Sequence, residues 1–235
     1  EVQRARDAAR VIRRQLEPLK WAEAQQVLAN ALVNLAAGQT GGTARSTLEE
    51  AESLLYDALE AADRPDAHPA FAASITNLWG YAAWQKARFL DGDDKGRALA
   101  DAANRFTDAF AKLDPETHHG VWLTVGFYRG AVFHELAELQ KGAQSLGWYD
   151  EAIAAFRTLE ERGAEDGQRH PIAAFNRYVV LEARAKMTDG PAALAYLDAA
   201  REALVFAMTS PTFAEMQDDH QARLAALDAQ IAARS

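Results

Sequence analysis

The chain has 235 residues, 49% of them hydrophobic, with a net charge of −9 and a pI near 5.2. That balance argues against a general nucleic-acid binder, whose footprint is basic, and no apolar run is long enough for a membrane span. With no cysteine, disulfides, thiol catalysis and Cys-ligated zinc are excluded, and either the cytoplasm or a periplasm is a compatible compartment.

Much of the apolar fraction is alanine, β-branched residues never alternate, and the prolines and glycines punctuate helical stretches, so the class expected is all-α. The first helix, 1–16, carries Val2, Ala5, Ala9, Ile12 and Leu16 on one stripe and Arg4, Arg6, Arg10, Arg13 and Arg14 elsewhere, a basic face that reads first as a solvated one. Its start at Glu1 rather than Met suggests that a segment upstream was removed. Pro18 separates it from a helix over 19–37. The loop GQTGGTARS follows, with Thr47 as the expected N-cap and Glu50 completing a capping box for a helix to Asp63. Arg64-Pro65 ends that helix. Pro69 opens a helix to Leu90, and the turn DGDD precedes another over 95–113. A long helix over 117–145 is expected next, with Gly126, Gly130 and Gly142 inside it. Gly147 then sets off a helix over 148–162. After the loop GAEDGQRH come helices over 171–187, 191–208 and 211–234.

That is about ten antiparallel helices in one domain. They group as pairs 19–63, 69–113, 117–162 and 171–208, with the first and last helices as caps. A small–large–small triplet recurs in the second helix of each pair: Ala51, Leu55, Ala58; Ala102, Phe106, Ala109; Ala152, Phe156, Leu159; and, in this reading, Ala192, Tyr196, Ala199. A small residue lets a neighbouring helix approach, and the larger one fills the gap a turn later. The spacings between triplets are 51, 50 and 40 residues.

Two stretches, Leu48-Glu49-Glu50-Ala51 through Leu59 and Trp148-Tyr149-Asp150-Glu151-Ala152 through Phe156, resemble the tetratricopeptide repeat (TPR) family, in a bacterial variety with lengthened repeats. The resemblance implies a TPR-like α-solenoid with a small helix-A residue at Ala29 and Gly80, and a groove lined by first helices that takes a protein or peptide partner. Carried onto this chain, the groove positions are Glu23, Gln26, Asn30, Val33 and Asn34 in the first pair and Ser74, Asn77, Tyr81, Trp84 and Gln85 in the second. Amide side chains pair with an extended peptide's backbone, and Tyr and Trp offer flat contact area. Arg129 stands in an apolar stretch, and Asn176 and Arg177 complete the candidate set. Asn30, Asn77 and Arg129 offer part of a carboxylate clamp, without its lysine.

The expected role is a non-enzymatic scaffold or adaptor without cofactor, acting as a monomer or weak dimer. The alternative is a helical sensor domain cut from a larger protein, its small-molecule or peptide signal held by Trp79, Trp84 and Trp122. Other motifs fall short. His134 and Glu138 place one imidazole and one carboxylate a helical turn apart with no second such pair, so no metal is expected. Asp91 to Gly96 has Lys95 where a calcium loop needs an oxygen. His118-His119 reads as a helix-start turn.

Overall fold

The computed structural model describes residues 1–62, 64, 67–163 and 169–234. The expected stop at Pro65 and the middle of the GAEDGQRH loop lie outside them. Among the described residues there are ten α-helices and no strand: α1 (Val2–Val11), α2 (Pro18–Ala36), α3 (Gly41–Ala62), α4 (Pro69–Ala87), α5 (Gly92–Ala111), α6 (His119–Leu139), α7 (Ala143–Arg162), α8 (Pro171–Lys186), α9 (Gly190–Ala207) and α10 (Gln217–Ala232), with a short 3-10 helix over Pro211–Met216. Contacts divide the chain into two compact units, 1–128 and 129–235, the division falling inside α6. In the first, α1 packs on α2, α2 on α3, α3 on α4 and α4 on α5; in the second, α7 packs on α8, α8 on α9 and α9 on α10. Within each unit these helices thus lie against their neighbours in the chain, the pairwise succession of an α-solenoid.

The repeat is more regular than the triplets suggest. Four glycines have positive φ, Gly41, Gly92, Gly142 and Gly190, and each stands at or just before the first residue of α3, α5, α7 or α9. Without a Cβ, glycine enters this left-handed region freely and turns the chain into the next helix. The glycines are 51, 50 and 48 positions apart. Counted from each, positions 7, 10, 14 and 17 are Leu48, Ala51, Leu55, Ala58; Leu99, Ala102, Phe106, Ala109; Tyr149, Ala152, Phe156, Leu159; and Leu197, Ala200, Leu204, Ala207, all buried. The fourth triplet is therefore Ala200, Leu204, Ala207. Ala192 is exposed, and Tyr196 and Ala199 are only partly buried. In alanine-rich α9 several frames satisfy a +4, +3 spacing, and burial selects one of them.

The same register places the first helices of the pairs. Ala29, Gly80, Gly130 and Tyr178 stand 26 positions before Leu55, Phe106, Phe156 and Leu204, and all are buried. Gly130 is the small residue of the third pair. A Cβ there would lie 2.7 Å from the Phe156 ring, and one on Gly80 3.0 Å from that of Phe106. The fourth pair inverts the sizes, with Tyr178 on the first helix.

Several expected boundaries move. α3 begins six residues before Thr47, whose hydroxyl donates to the Thr43 carbonyl (3.0 Å) from inside the helix instead of capping it. Glu50 closes no capping box; it accepts from Arg6 at 2.6 Å. α5 starts at Gly92, within the expected turn DGDD. The long helix expected to 145 stops at Leu139, Gly142 forms the turn, and Gly147 lies inside α7. α1 ends at Val11 because the chain must reverse before Pro18; Ile12 is extended, and Leu16 is 72% exposed instead of completing a stripe. Two of the five arginines reach α3: Arg6 of α1 pairs with Glu50, and Arg14, just beyond α1, pairs with Glu60 at 3.0 Å.

At the C-terminus the expected single helix is a 3-10 turn followed by α10. Leu227 is buried, and Leu224 and Ile231 pack on the core formed with α8 and α9. His220, placed by the sequence among acidic surface residues, is fully buried and stacks on Phe175, with ring centroids 5.0 Å apart.

Candidate functional site

The first unit exposes one polar face built from α2 and α4. A helix that buries Gln25, Ala29, Leu32 and Ala36 presents residues one position later on an adjoining stripe. Glu23, Asn30 and Asn34 on α2 are exposed, and Gln26 is half-buried. The register positions of Glu23, Gln26, Asn30 and Asn34 recur on α4 as Ser74, Asn77, Tyr81 and Gln85, all half-buried. The Gln26 amide donates to the Ser74 hydroxyl at 2.7 Å, joining the two helices at one end of the face. Asn77 carries its Oδ1 out of solvent without a hydrogen-bond partner. Val33, by contrast, is buried in the core.

At the other end the face opens into a cavity of about 260 Å³. Val33, Leu48 and Phe89 form apolar wall, while Asn34, Gln85 and Arg88 bring polar groups to it. Arg88 Nη1 donates to Gln85 Oε1 at 2.9 Å, linking the two polar side chains of the lining. Gln39, from the turn between α2 and α3, also lines the cavity and has a buried, unpartnered Oε1. Neither Gln39 nor Arg88 was singled out in the sequence. Arg88 lies three residues after Gln85 and so on the same stripe, whereas Gln39 sits in a turn that periodicity does not reach.

Tyr81 joins this cavity to an aromatic cluster. It stacks on Tyr128 at 5.3 Å and meets Trp84 edge-on, and Trp84 in turn meets Phe106 edge-on at 6.3 Å. Burial first, and then the nearby Tyr81, push the Tyr128 phenol above its ordinary range. The three tryptophans proposed for a sensor pocket have separate settings: Trp84 lies in this cluster, Trp122 is buried on Phe110 at 4.9 Å, and Trp79 meets Tyr56 on α3.

The second unit treats its candidate residues differently. Arg129 and Arg177 correspond in register to Leu28 and Trp79, two positions before Asn30 and Tyr81. Two residues are about 200° around a helix, so they do not continue the amide face. Arg177 is buried, its Nε 2.5 Å from Oε2 of Glu160 on α7, and Arg169 binds the same carboxylate. Arg129 lies 5.9 Å from the Phe133 ring; burial lowers its pKa, and Glu151 raises it. Asn176 donates to the Ile172 carbonyl of its own helix at 2.9 Å. His134 Nε2 is 3.6 Å from Glu138 Oε1, too long for a hydrogen bond, and burial holds the imidazole below its usual range against the pull of Glu138 and Glu135.

No cluster of three or more metal-ligating side chains occurs among the described residues, and no helix among them is long and apolar enough to cross a membrane. No protein-family model matches the chain, and comparison with curated proteins gives no significant match.

Proposed function

We propose that the chain is a TPR-type adaptor that binds an extended polypeptide along the amide face of α2 and α4, without enzymatic activity or cofactor. The observation that carries this is the run of Gln26, Asn30 and Asn34 beside Asn77, Tyr81 and Gln85, leading into the cavity at Asn34 and Gln85. Carboxamides present both donors and acceptors, which suits the alternating N–H and C=O groups of a peptide backbone. The cavity gives one side chain of that peptide an apolar seat with a polar mouth. Tyr81 supplies rigid, amphipathic contact area of the kind that dominates binding energy at interfaces. The partner is a protein segment rather than nucleic acid, since the chain is acidic. The covered C-terminal core supports a monomer.

Selection of a peptide display library against the full chain and against its Asn34→Ala/Tyr81→Ala/Gln85→Ala variant tests the reading. The wild-type chain is expected to enrich a common motif that the variant does not retain. Equal enrichment by both, or none by either, refutes it.

A further inference from the structure

A second cavity of the first unit, of about 360 Å³, lies among α3, α4 and α5. Its aromatic wall is Trp79 with Tyr56, whose rings meet edge to face at 5.8 Å. Arg105 comes to it from α5 and Lys112 from the residue that follows that helix. The Arg105 guanidinium lies over the Trp79 ring, 3.5 Å from its centroid. That contact uses one face of the guanidinium plane. The five N–H donors radiate within the plane, and the Nε among them is buried with no acceptor. Lys112 is exposed and forms no ion pair among the described residues. The one carboxylate of the lining, Glu60, is engaged by Arg14 at 3.0 Å. In a chain of net charge −9, two cations thus converge on one hollow without a counter-charge of their own.

We propose that this cavity binds a small organic carboxylate carried on an aromatic body. A carboxylate accepts from two guanidinium N–H groups in one plane, and so meets the donor edge that Arg105 leaves free beside the ring. Lys112 adds attraction without geometric demand. The aromatic body lies along Tyr56 and Leu59, where a charged or strongly hydrated ligand would forfeit solvation. Pockets for small molecules commonly measure about 300–1,000 Å³ and combine apolar walls with a few placed polar groups, a description this cavity meets at the lower end. The inference is independent of the peptide-binding face on α2 and α4, which shares no residue with this lining.

Calorimetric titration of the full chain with indole-3-acetate and with its uncharged amide tests the assignment. The carboxylate is expected to bind at least tenfold more tightly than the amide, with affinity falling as salt is raised. Arg105→Gln is expected to remove that preference. Because Arg105 also packs on Trp79, the exposed Lys112→Gln provides a variant that leaves the core untouched, and it is expected to weaken carboxylate binding several-fold while leaving the amide unchanged. Equal binding of acid and amide, no heat with millimolar acid, or an undiminished preference in folded Arg105→Gln or in Lys112→Gln would overturn the proposal.

Discussion

Gly130→Ala isolates the contact on which the third helix pair depends. Two opposing effects are at work. In a helix interior, alanine is favoured over glycine by about 1 kcal/mol. Against this, the new Cβ would stand 2.7 Å from Cζ and 2.8 Å from Cε1 of Phe156, nearer than carbon atoms approach. Phe156 is 2% exposed, so its ring cannot swing out to solvent. Overpacking of this kind costs about 1–3 kcal/mol, and the severity of the approach places Gly130→Ala toward the upper part of that range. A net loss of about 1–2 kcal/mol remains, or roughly 2–8 °C in melting temperature for a chain of this size at about 2–4 °C per kcal/mol. Gly80→Ala is the internal comparison. There the nearest atoms are at 3.0 and 3.1 Å, so smaller shifts suffice and the two effects nearly cancel. The first pair suggests the remedy, because it carries Ala29 with Leu55 at the equivalent positions, both fully buried. Gly130→Ala/Phe156→Leu should therefore be more stable than the sum of its single substitutions by about 1 kcal/mol or more. Thermal melts followed by circular dichroism, with urea titrations to separate the two units, measure the parent and the four variants, Phe156→Leu included. Strict additivity, or a Gly130→Ala chain as stable as the parent, would refute the pairing of small and large residues as the source of close approach.

Glu160→Ala is expected to cost about 3 kcal/mol, the low end of the range for breaking a buried ion pair, because Glu202 at 3.9 Å leaves Arg177 a second, weaker counter-charge; in urea titrations, Glu160→Ala/Arg177→Met should recover part of that loss. Thr47→Ala should leave the melting temperature unchanged or slightly raised, since the hydroxyl bonds back inside α3, whereas loss of a true N-cap would cost about 1 kcal/mol. Burial holds the folded-state pKa of His134 below its unfolded value, so the unfolded chain takes up the proton first as pH falls; this residue's share of stability declines below about pH 6.5, and pH-dependent melts of His134→Gln should show a shallower decline than the parent.

The helical class and most element centres were legible because apolar residues at spacings of three and four define a buried stripe whatever lies around them. Boundaries were less so. The stretch Phe133 to Gly147 continues one amphipathic pattern through Gln140 and Lys141, and only the conformation of Gly142 distinguishes a turn from a helix interior. Thr47 with Glu50 satisfies the capping pattern in letters, yet Gly41 starts the helix earlier because it can take the positive φ that the reversal requires. The fourth triplet failed for a compositional reason: alanines at 192, 193, 195, 199 and 200 allow neighbouring frames, and the choice depends on which face α10 and α8 cover. That frame also shortened the last spacing to 40 residues and hid the register of α8, so Asn176 and Arg177 were grouped with a face to which they do not belong; Arg129 joined them because Gly126 and Gly130, a turn apart on α6, both offer the small residue. Nor does a linear pattern reveal cavities. Gln39 with Gln85, and Arg105 with Trp79, are brought together by packing between helices.

The corrected register explains why the amide face is confined to the first two pairs. The position occupied by Gln26 and Asn77 is Phe127 in the third pair and Phe175 in the fourth; that of Asn30 and Tyr81 becomes Ala131 and then Val179. In the fourth pair the change has a visible cause. Phe175 is covered by Phe213 of the 3-10 helix and by His220 of α10, and Val179 packs on the core that Leu227 completes. A carboxamide under that cover would lose its hydration without a partner, a cost of about 1–3 kcal/mol for each buried polar group left unpaired; an aromatic ring gains contact instead. On α2 the corresponding residues meet water, and amides persist there at no such cost. The chemistry of one position on the repeating helix therefore follows whether a later segment covers it. The polar character of α2 is that of a face that meets water within the first unit, whereas on α4 the side chains at the same positions are half-buried.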